Sequence, residues 1–370
     1  MTAPVHYELG AFPPDNLPWE KLIPLVGPAN AALARYDALL SAIPNAAVLL
    51  SPLTTQEAVL SSRIEGTQAT MVEVMEVEAG GSPAGMTAPR RGDVEEILNY
   101  RNALWACTDE LSRRPISQHI LRQAHSLLLR GVRGQNQSPG SYREDQNWIG
   151  PDGCSIDSAN FIPISHEHLQ SGIDTWERYL LRTDLPDPLV QLALIHAEFE
   201  ALHPFKDGNG RVGRMIIPLY LFAKKLLSSP NFYMSGYLEA HRESYIEKLR
   251  AISARGEWGE WCAFFLRALI DQAAENERKA QDILNLFSDV KERVVSLTHS
   301  QHSIRATDFI FQNPIFRAPD FILGSDIPKP SATRILRILR AAEILTPLRE
   351  GRGRRAGIFA FPRLLEIVDR

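Results

Sequence analysis

The chain has 370 residues, 44% of them apolar and 23% charged, which is the balance of a soluble globular protein of two to three domains. Its net charge of -4 gives no overall attraction to nucleic acid or membrane, and no stretch approaches the roughly 18 apolar residues that span a bilayer. Cys107, Cys154 and Cys262 lie far apart with no CxxC pair, which supports neither a zinc site nor a disulfide framework and points to a reducing compartment. The first residues show no basic segment followed by an apolar run, so a cytoplasmic protein without a signal peptide is expected.

Residues 1–26 are Pro-rich and predict an extended arm, followed by a helix from about Pro28 to Leu40. "PLTTQEAVLSSRIE" (52–65) opens with Pro, Thr54, Thr55 and Glu57, a helix-start pattern, and stops at Gly66, a residue suited to a left-handed cap. Residues 78–92 read as a loop by composition. Helical spacing returns over 94–111 and 117–129. The Gly-, Pro- and Asn-rich stretch 133–153 predicts a long ordered loop with a short hairpin near 148–163, a kind of loop that is often functional. Helices are expected at 166–181, 188–202, 215–227, 239–254 and 257–298. The tail from 304 to 370 reads as helix, Pro-interrupted turn, helix and two short strands around a Gly/Arg turn, the order of a winged helix.

Between two apolar helices stands "HPFKDGNGRVGR" (203–214). Gly in a helix interior costs about 1 kcal/mol relative to Ala, so "DGNG" ends one helix and a new one begins near Gly210. Gly208 and Gly210 let backbone N–H groups converge at a helix N-terminus, an arrangement that binds phosphate. Arg211 and Arg214 sit at i and i+3 on one side of the new helix and suit more than one phosphate. Asp207 is a hard oxygen ligand suited to Mg²⁺, and His203 can take a proton near neutral pH. The pattern is a nucleotide-phosphate cradle with a metal ligand and a general base.

The motif resembles the signature of Fic domain proteins, His-x-Phe-x-Asp/Glu-Gly-Asn-Gly-Arg-x-x-Arg, at every fixed position. The resemblance implies a mainly α fold, a Fic-type helical bundle with a small β-hairpin flap, that transfers AMP from ATP to a Ser, Thr or Tyr hydroxyl. It implies His203 as the base, Asp207 as the Mg²⁺ ligand on the α- and β-phosphates, and Gly208, Asn209, Gly210 and Arg211 as the anion nest. The ATP-binding run then extends through Val212 and Gly213 to Arg214 at the γ-phosphate, with Phe205 buried beneath the loop. Tyr237 and His241 fall where related proteins contact adenine, though Tyr237 suits a core aromatic equally. Residues 154–164 match the flap, where an extended target segment would dock by strand pairing; a plain surface hairpin reads almost as well. His196 and Glu198, on the preceding helix, are expected to support the site from the core. Pro218, inside the helix after the motif, removes a hydrogen bond to the Arg214 carbonyl and is expected to kink it.

A second stretch, "SSRIEG" (61–66), puts Ser61 and Glu65 four apart on one helix face. It is similar to the inhibitory pattern of the same family, Ser/Thr-x-x-x-Glu-Gly/Asn, with Ser61, Glu65 and Gly66 in the matching positions. The resemblance implies that Glu65 pairs with Arg214 and takes the γ-phosphate position until displaced. The implied organisation is an N-terminal helical region with the inhibitory helix (1–110), the Fic core (111–270), a linker helix (271–300) and a winged-helix-like domain (301–370). Residues 329–355 hold eight Lys/Arg against two Glu, a balance of +6 that leaves the remainder of the chain at -10. Such a segment suits contact with DNA or a solvated, protein-binding face. Removal of AMP by a hydrolase, another phosphate donor such as UTP or CDP-choline, and a DNA-binding regulator with a sensor core are the competing functions. A homodimer is implied by analogy with the family.

Overall fold

Helices form wherever a 3.6-residue apolar period runs uninterrupted by Gly/Pro clusters. The structure, a computed structural model, describes residues 3–43, 45–82, 85–151, 153–351 and 356–370. In chain order the elements are β1 (Val5–His6), α1 (Trp19–Ala42), α2 (Ala46–Leu49), α3 (Ser51–Ile64), α4 (Met71–Glu78), α5 (Ala88–Leu111) and α6 (Gln118–Leu128). Then come β2 (Phe161–Ile162), α7 (His166–Leu180), α8 (Pro188–Leu202), α9 (Asn209–Ala223), α10 (Ser235–Ala240), α11 (Arg242–Arg255) and α12 (Trp258–Thr298). The tail holds α13 (Ser303–Gln312), β3 (Ile315–Arg317), α14 (Ala318–Gly324), α15 (Lys329–Ala341), β4 (Thr346–Arg349), β5 (Ile358–Ala360) and α16 (Pro362–Asp369). The fold is mainly helical with small sheets, and no helix among the described residues is long and apolar enough to cross a membrane.

Two compact units share the chain. The first takes the residues up to Asp37, Leu60–Glu65 and Asn99–Ala274. Its centre is α8, buried almost all round from Leu189 to Phe199, as a helix apolar on every face must be, and packed against α7 and α9. The N-cap Asp187 accepts the Leu189 and Val190 amides at 2.9 and 3.0 Å, satisfying two of the orphan donors of the first turn. The second unit takes Ala38–Val59, Gly66–Leu98 and Glu275–Arg370. Its tail runs helix, strand, helix, helix, strand, strand, with an antiparallel sheet in the order β3-β5-β4. Phe359 of β5 lies opposite Phe316 on one side and Pro347 on the other. The helix, helix and two strands read from the tail are joined by a third strand and a closing helix, β3 and α16, that periodicity did not reveal. The Gly/Arg turn at 352–355 lies outside the described residues.

Three expectations change. α1 begins at Trp19 and runs through Pro24 and Pro28, so the arm is shorter than 1–26. Each proline forfeits one backbone bond, but Leu22, Ala29, Ala32, Leu33 and Tyr36 still bury one stripe. α5 begins at Ala88, six residues before Val94. The flap hairpin reduces to one antiparallel bridge, Ile149 with Phe161, followed by a 3-10 turn at Ile156–Ser158. The other edge of β2 is taken by β1 in parallel register, Val5 opposite Phe161 and His6 opposite Ile162. Asp152 lies outside the described residues.

Candidate active site

α8 ends at His203, whose backbone is left-handed (φ 45°, ψ 60°). A non-Gly residue there carries strain of about 1 kcal/mol or more that the surroundings must impose. Arg143 does much of this. Its Nε donates to the His203 carbonyl at 3.0 Å and its Nη2 to the Leu202 and Ile164 carbonyls, so one buried guanidinium ties the last carbonyls at the helix end to the chain before α7. Burial lowers the Arg143 pKa to about 10. Asn147 Nδ2 donates to the Phe205 carbonyl at 3.2 Å.

The loop is then folded on itself. Asn209 turns inward, its Oδ1 accepting the Phe205 amide and its Nδ2 donating to the Phe205 carbonyl, both at 2.8 Å. Phe205 is fully buried and stacks on His125 with ring centroids 3.9 Å apart. His125 Nε2 donates to the Asp207 carbonyl at 2.9 Å while its Nδ1 accepts the Gly140 amide at 2.9 Å, which fixes a neutral tautomer; burial holds its pKa down at about 4. Gly208 supplies the left-handed residue (φ 77°) from which α9 starts, as expected near Gly210. Asp207 Oδ1 accepts the Gly208 amide at 2.6 Å and lies 3.7 Å from Arg211 Nη2.

His203 half-protrudes from this frame. Its Nδ1 lies 3.3 Å from the Glu200 carbonyl; a carbonyl can only accept, so the proton sits on Nδ1 and Nε2 keeps its lone pair. Burial lowers the His203 pKa to about 4 against smaller opposing effects of the Glu200 carbonyl and Glu65. The imidazole is therefore neutral at pH 7, the form a base requires.

Arg214 is 2% exposed and makes three hydrogen bonds to the segment 61–65. Nε donates to Ser61 Oγ at 2.9 Å, and Nη2 donates to the Ser61 carbonyl at 2.8 Å and to Glu65 Oε1 at 2.6 Å. Burial alone would raise the Glu65 pKa, but Arg214 holds it below the usual carboxylate value. Burial would likewise lower Arg214, and Glu65 outweighs it, so the guanidinium stays charged. Glu65 follows the last residue of α3, and Gly66 after it is left-handed at φ 97°. A Cβ on Gly210 would strike the Glu65 carboxylate, and one on Gly213 the Glu200 carboxylate, so both glycines make room for acids beside Arg214. Burial pushes Glu200 up to about 7, with Arg214 lowering it and Glu65 raising it.

Glu65, His203, Gly210, Arg214, Glu200 and the Ile149–Pro151 side of the flap line one cavity of about 410 Å³. Among the described residues no cluster of three or more metal-ligating side chains occurs.

A family model described as Fic/DOC family matches residues 115–221, and one described as Fic/DOC family N-terminal matches 23–109; together they cover more than half of the chain. The chain belongs to the Fic/DOC family. A probable protein adenylyltransferase of Aquifex aeolicus is 33% identical over 89 residues, which is 24% of this chain and 28% of that protein. The crystal structure of a Fic family protein from Desulfovibrio desulfuricans G20 superposes with a TM-score of 0.58 at 20% identity, covering 92% of this chain and 95% of that one. A Fic domain containing signaling protein from Bacteroides thetaiotaomicron gives 0.54 at 16% identity, over 69% and 97%. Fic-1 from C. elegans gives 0.51 at 16% identity, over 74% and 75%. At such identities the likeness to solved structures is one of fold.

Not every residue expected at the Fic site reaches the cavity. Val212 is wholly buried in the core. The Gly213 carbonyl accepts His196 Nδ1–H at 3.0 Å, which leaves His196 Nε2 to accept the Tyr245 hydroxyl at 2.9 Å; Tyr245 lines the cavity. Glu198, buried, accepts the Tyr7 hydroxyl at 2.7 Å. Tyr237 and His241 stack on each other at 4.0 Å, the Tyr237 amide donating to Gln272, and neither lines the cavity. Arg143, His125, Glu200 and Tyr245 were missed from sequence; the composition of the 133–153 loop was the one signal that pointed toward Arg143.

Proposed function

We propose that this Fic protein transfers AMP from ATP to a protein hydroxyl and that Glu65 holds the transfer in check. The observation that carries the reading is the 2.6 Å Arg214–Glu65 pair on the wall of the cavity that also holds His203. His203 Nε2 takes the proton of the target hydroxyl, and that oxygen attacks the α-phosphorus. The bond from the α-phosphorus to the bridging oxygen breaks, and pyrophosphate leaves with the electron pair. Gly208, Asn209, Gly210 and Arg211 direct backbone N–H groups and positive charge at the phosphates, and Arg214, once released, takes the γ-phosphate. Positioning and charge neutralisation supply most of the acceleration in such transfers.

Asp207 would hold Mg²⁺, which when bound neutralises charge on the phosphates. Its side chain is 34% exposed, with one oxygen on the Gly208 amide. A single carboxylate completed by phosphates and water is the donor set that Mg²⁺ prefers.

In the inhibited state Glu65 occupies the guanidinium that the γ-phosphate needs. The electrostatic reach of Glu65 to His203 favours one second reading, hydrolysis of AMP from a modified protein with Glu65 orienting the water. Transfer of label from α-phosphate-labelled ATP with Mg²⁺ to lysate proteins and to the chain itself separates the two. Weak label in wild type, strong label in Glu65→Gly and none in Glu65→Gly with His203→Ala is expected. A silent single mutant, with Glu65 required to strip AMP from a labelled protein, replaces transfer by hydrolysis.

A further inference from the structure

α15 is a 13-residue helix, "KPSATRILRILRA", with no acidic residue. Ala332, Ile335, Leu336 and Leu339 are buried, while Lys329, Thr333, Arg334, Arg337 and Arg340 are exposed. Of the cations on this face, Arg340 alone has an acidic partner among the described residues. Elsewhere in the unit Arg305 pairs with Asp326, Arg317 with Asp320 and Arg363 with Asp289, at 2.7 to 2.9 Å. On α15, Arg340 is paired with Glu350 at 3.1 Å. Arg334 gives one N–H to the Thr298 carbonyl and has no acidic partner among the described residues. Lys329 and Arg337 have no side-chain partner among the described residues. Lys329 moreover stands at the helix N-terminus, the positive end of the dipole, where a cation destabilises an isolated helix and an anion is favoured.

We propose that the Lys329, Arg334 and Arg337 face of α15 binds the phosphate backbone of duplex DNA. The exposed face carries no aromatic or large aliphatic side chain, which disfavours a protein partner, whose contact core would need them, and a membrane, which would need an apolar edge. A helix of about 10 Å diameter enters the roughly 12 Å major groove of B-form DNA but not the narrow groove of A-form RNA. α14 precedes α15 and packs against it, and β4 and β5 follow, the layout that presents a helix to a groove. The inference is independent of the adenylyl-transfer reading.

The test is fluorescence anisotropy of a labelled 20-base-pair duplex with the full chain from 50 to 200 mM KCl. Neutralising about three phosphates weakens binding roughly 40-fold over that range. Arg334→Glu with Arg337→Glu lowers the log–log salt slope by about two, and Arg337→Gln, which breaks no internal contact, lowers it by about one. The same charge reversal at exposed Lys291 and Arg363 leaves the slope within about half a unit of wild type. No binding at 50 mM salt, equal losses in the control pair, or equal affinity for an RNA duplex overturns the proposal.

Discussion

Ser61→Ala tests the clasp on Arg214 without touching charge. Ser61 and Arg214 are 0% and 2% exposed, and the Oγ accepts Arg214 Nε–H at 2.9 Å. A hydrogen bond to a charged group contributes about 1.5–3 kcal/mol. Its loss leaves a buried guanidinium N–H without an acceptor, and only the inhibited arrangement is affected, because Ser61 and Glu65 stand on the helix that must let go. Removing about 1.5 kcal/mol from the closed state shifts the population by roughly tenfold. Glu65→Gly removes the shorter, charge-assisted bond at 2.6 Å; discounting for the 34% exposure of Glu65, about 2 kcal/mol remains, or roughly 30-fold. The order of label transfer at subsaturating ATP is therefore wild type, Ser61→Ala, Glu65→Gly, in steps of about tenfold and then threefold. The assay is the initial rate of AMP incorporation, with the thermal midpoint measured on each variant to exclude unfolding. A Ser61→Ala protein that melts like wild type and transfers no faster refutes the clasp.

Glu198 and Glu200 make stability depend on pH. Burial raises Glu198 to about 8 and Glu200 to about 7, from 4.5, so the folded chain binds more protons than the unfolded chain between those values and stability falls as pH rises through the window. Glu198→Gln keeps an acceptor for Tyr7 and is expected to lose part of that slope, seen as a smaller fall in melting temperature between pH 5 and pH 8; identical slopes would show that Glu198 is ionised when folded. For transfer, kcat/KM of Glu65→Gly combined with Glu200→Gln, which removes the cavity carboxyl pushed up to about 7, is expected to stay flat from pH 6 to 8 beyond the titration of ATP itself. The lowered His203 pKa of about 4 places its acid limb below this range, whereas an acid limb with a midpoint near 6.5 would mean that the imidazole is not buried as described.

The motif residues were legible because spacing alone determines where their backbone goes. The "DGNG" run had to break the helix, and Ser61 and Glu65, four apart, had to lie on one side of the chain where α3 ends. Partners distant in sequence were not legible. Nothing local in "SYREDQNW" says that Arg143 will close the end of α8, and His125 looks like any residue of an amphipathic α6 until Phe205 stacks on it. β1, β2 and β3 have two or three residues each, too short for an alternation to register. The prolines of residues 1–26 argued against a helix before Pro28, yet α1 begins at Trp19 and runs through Pro24 and Pro28.

Both hydrogen-bonding edges of β2 are filled, one by Ile149 and the other by residues 5–7, the Tyr7 amide donating to the Ile162 carbonyl at 2.9 Å. A guest strand at β2 would have to evict the chain's own arm. Tyr7 leaves with that arm, and its hydroxyl is the group on Glu198, five residues ahead of His203 on α8. Occupancy of that edge and the ionisation of a carboxyl inside α8 are then linked quantities, each shifting the other by the same factor.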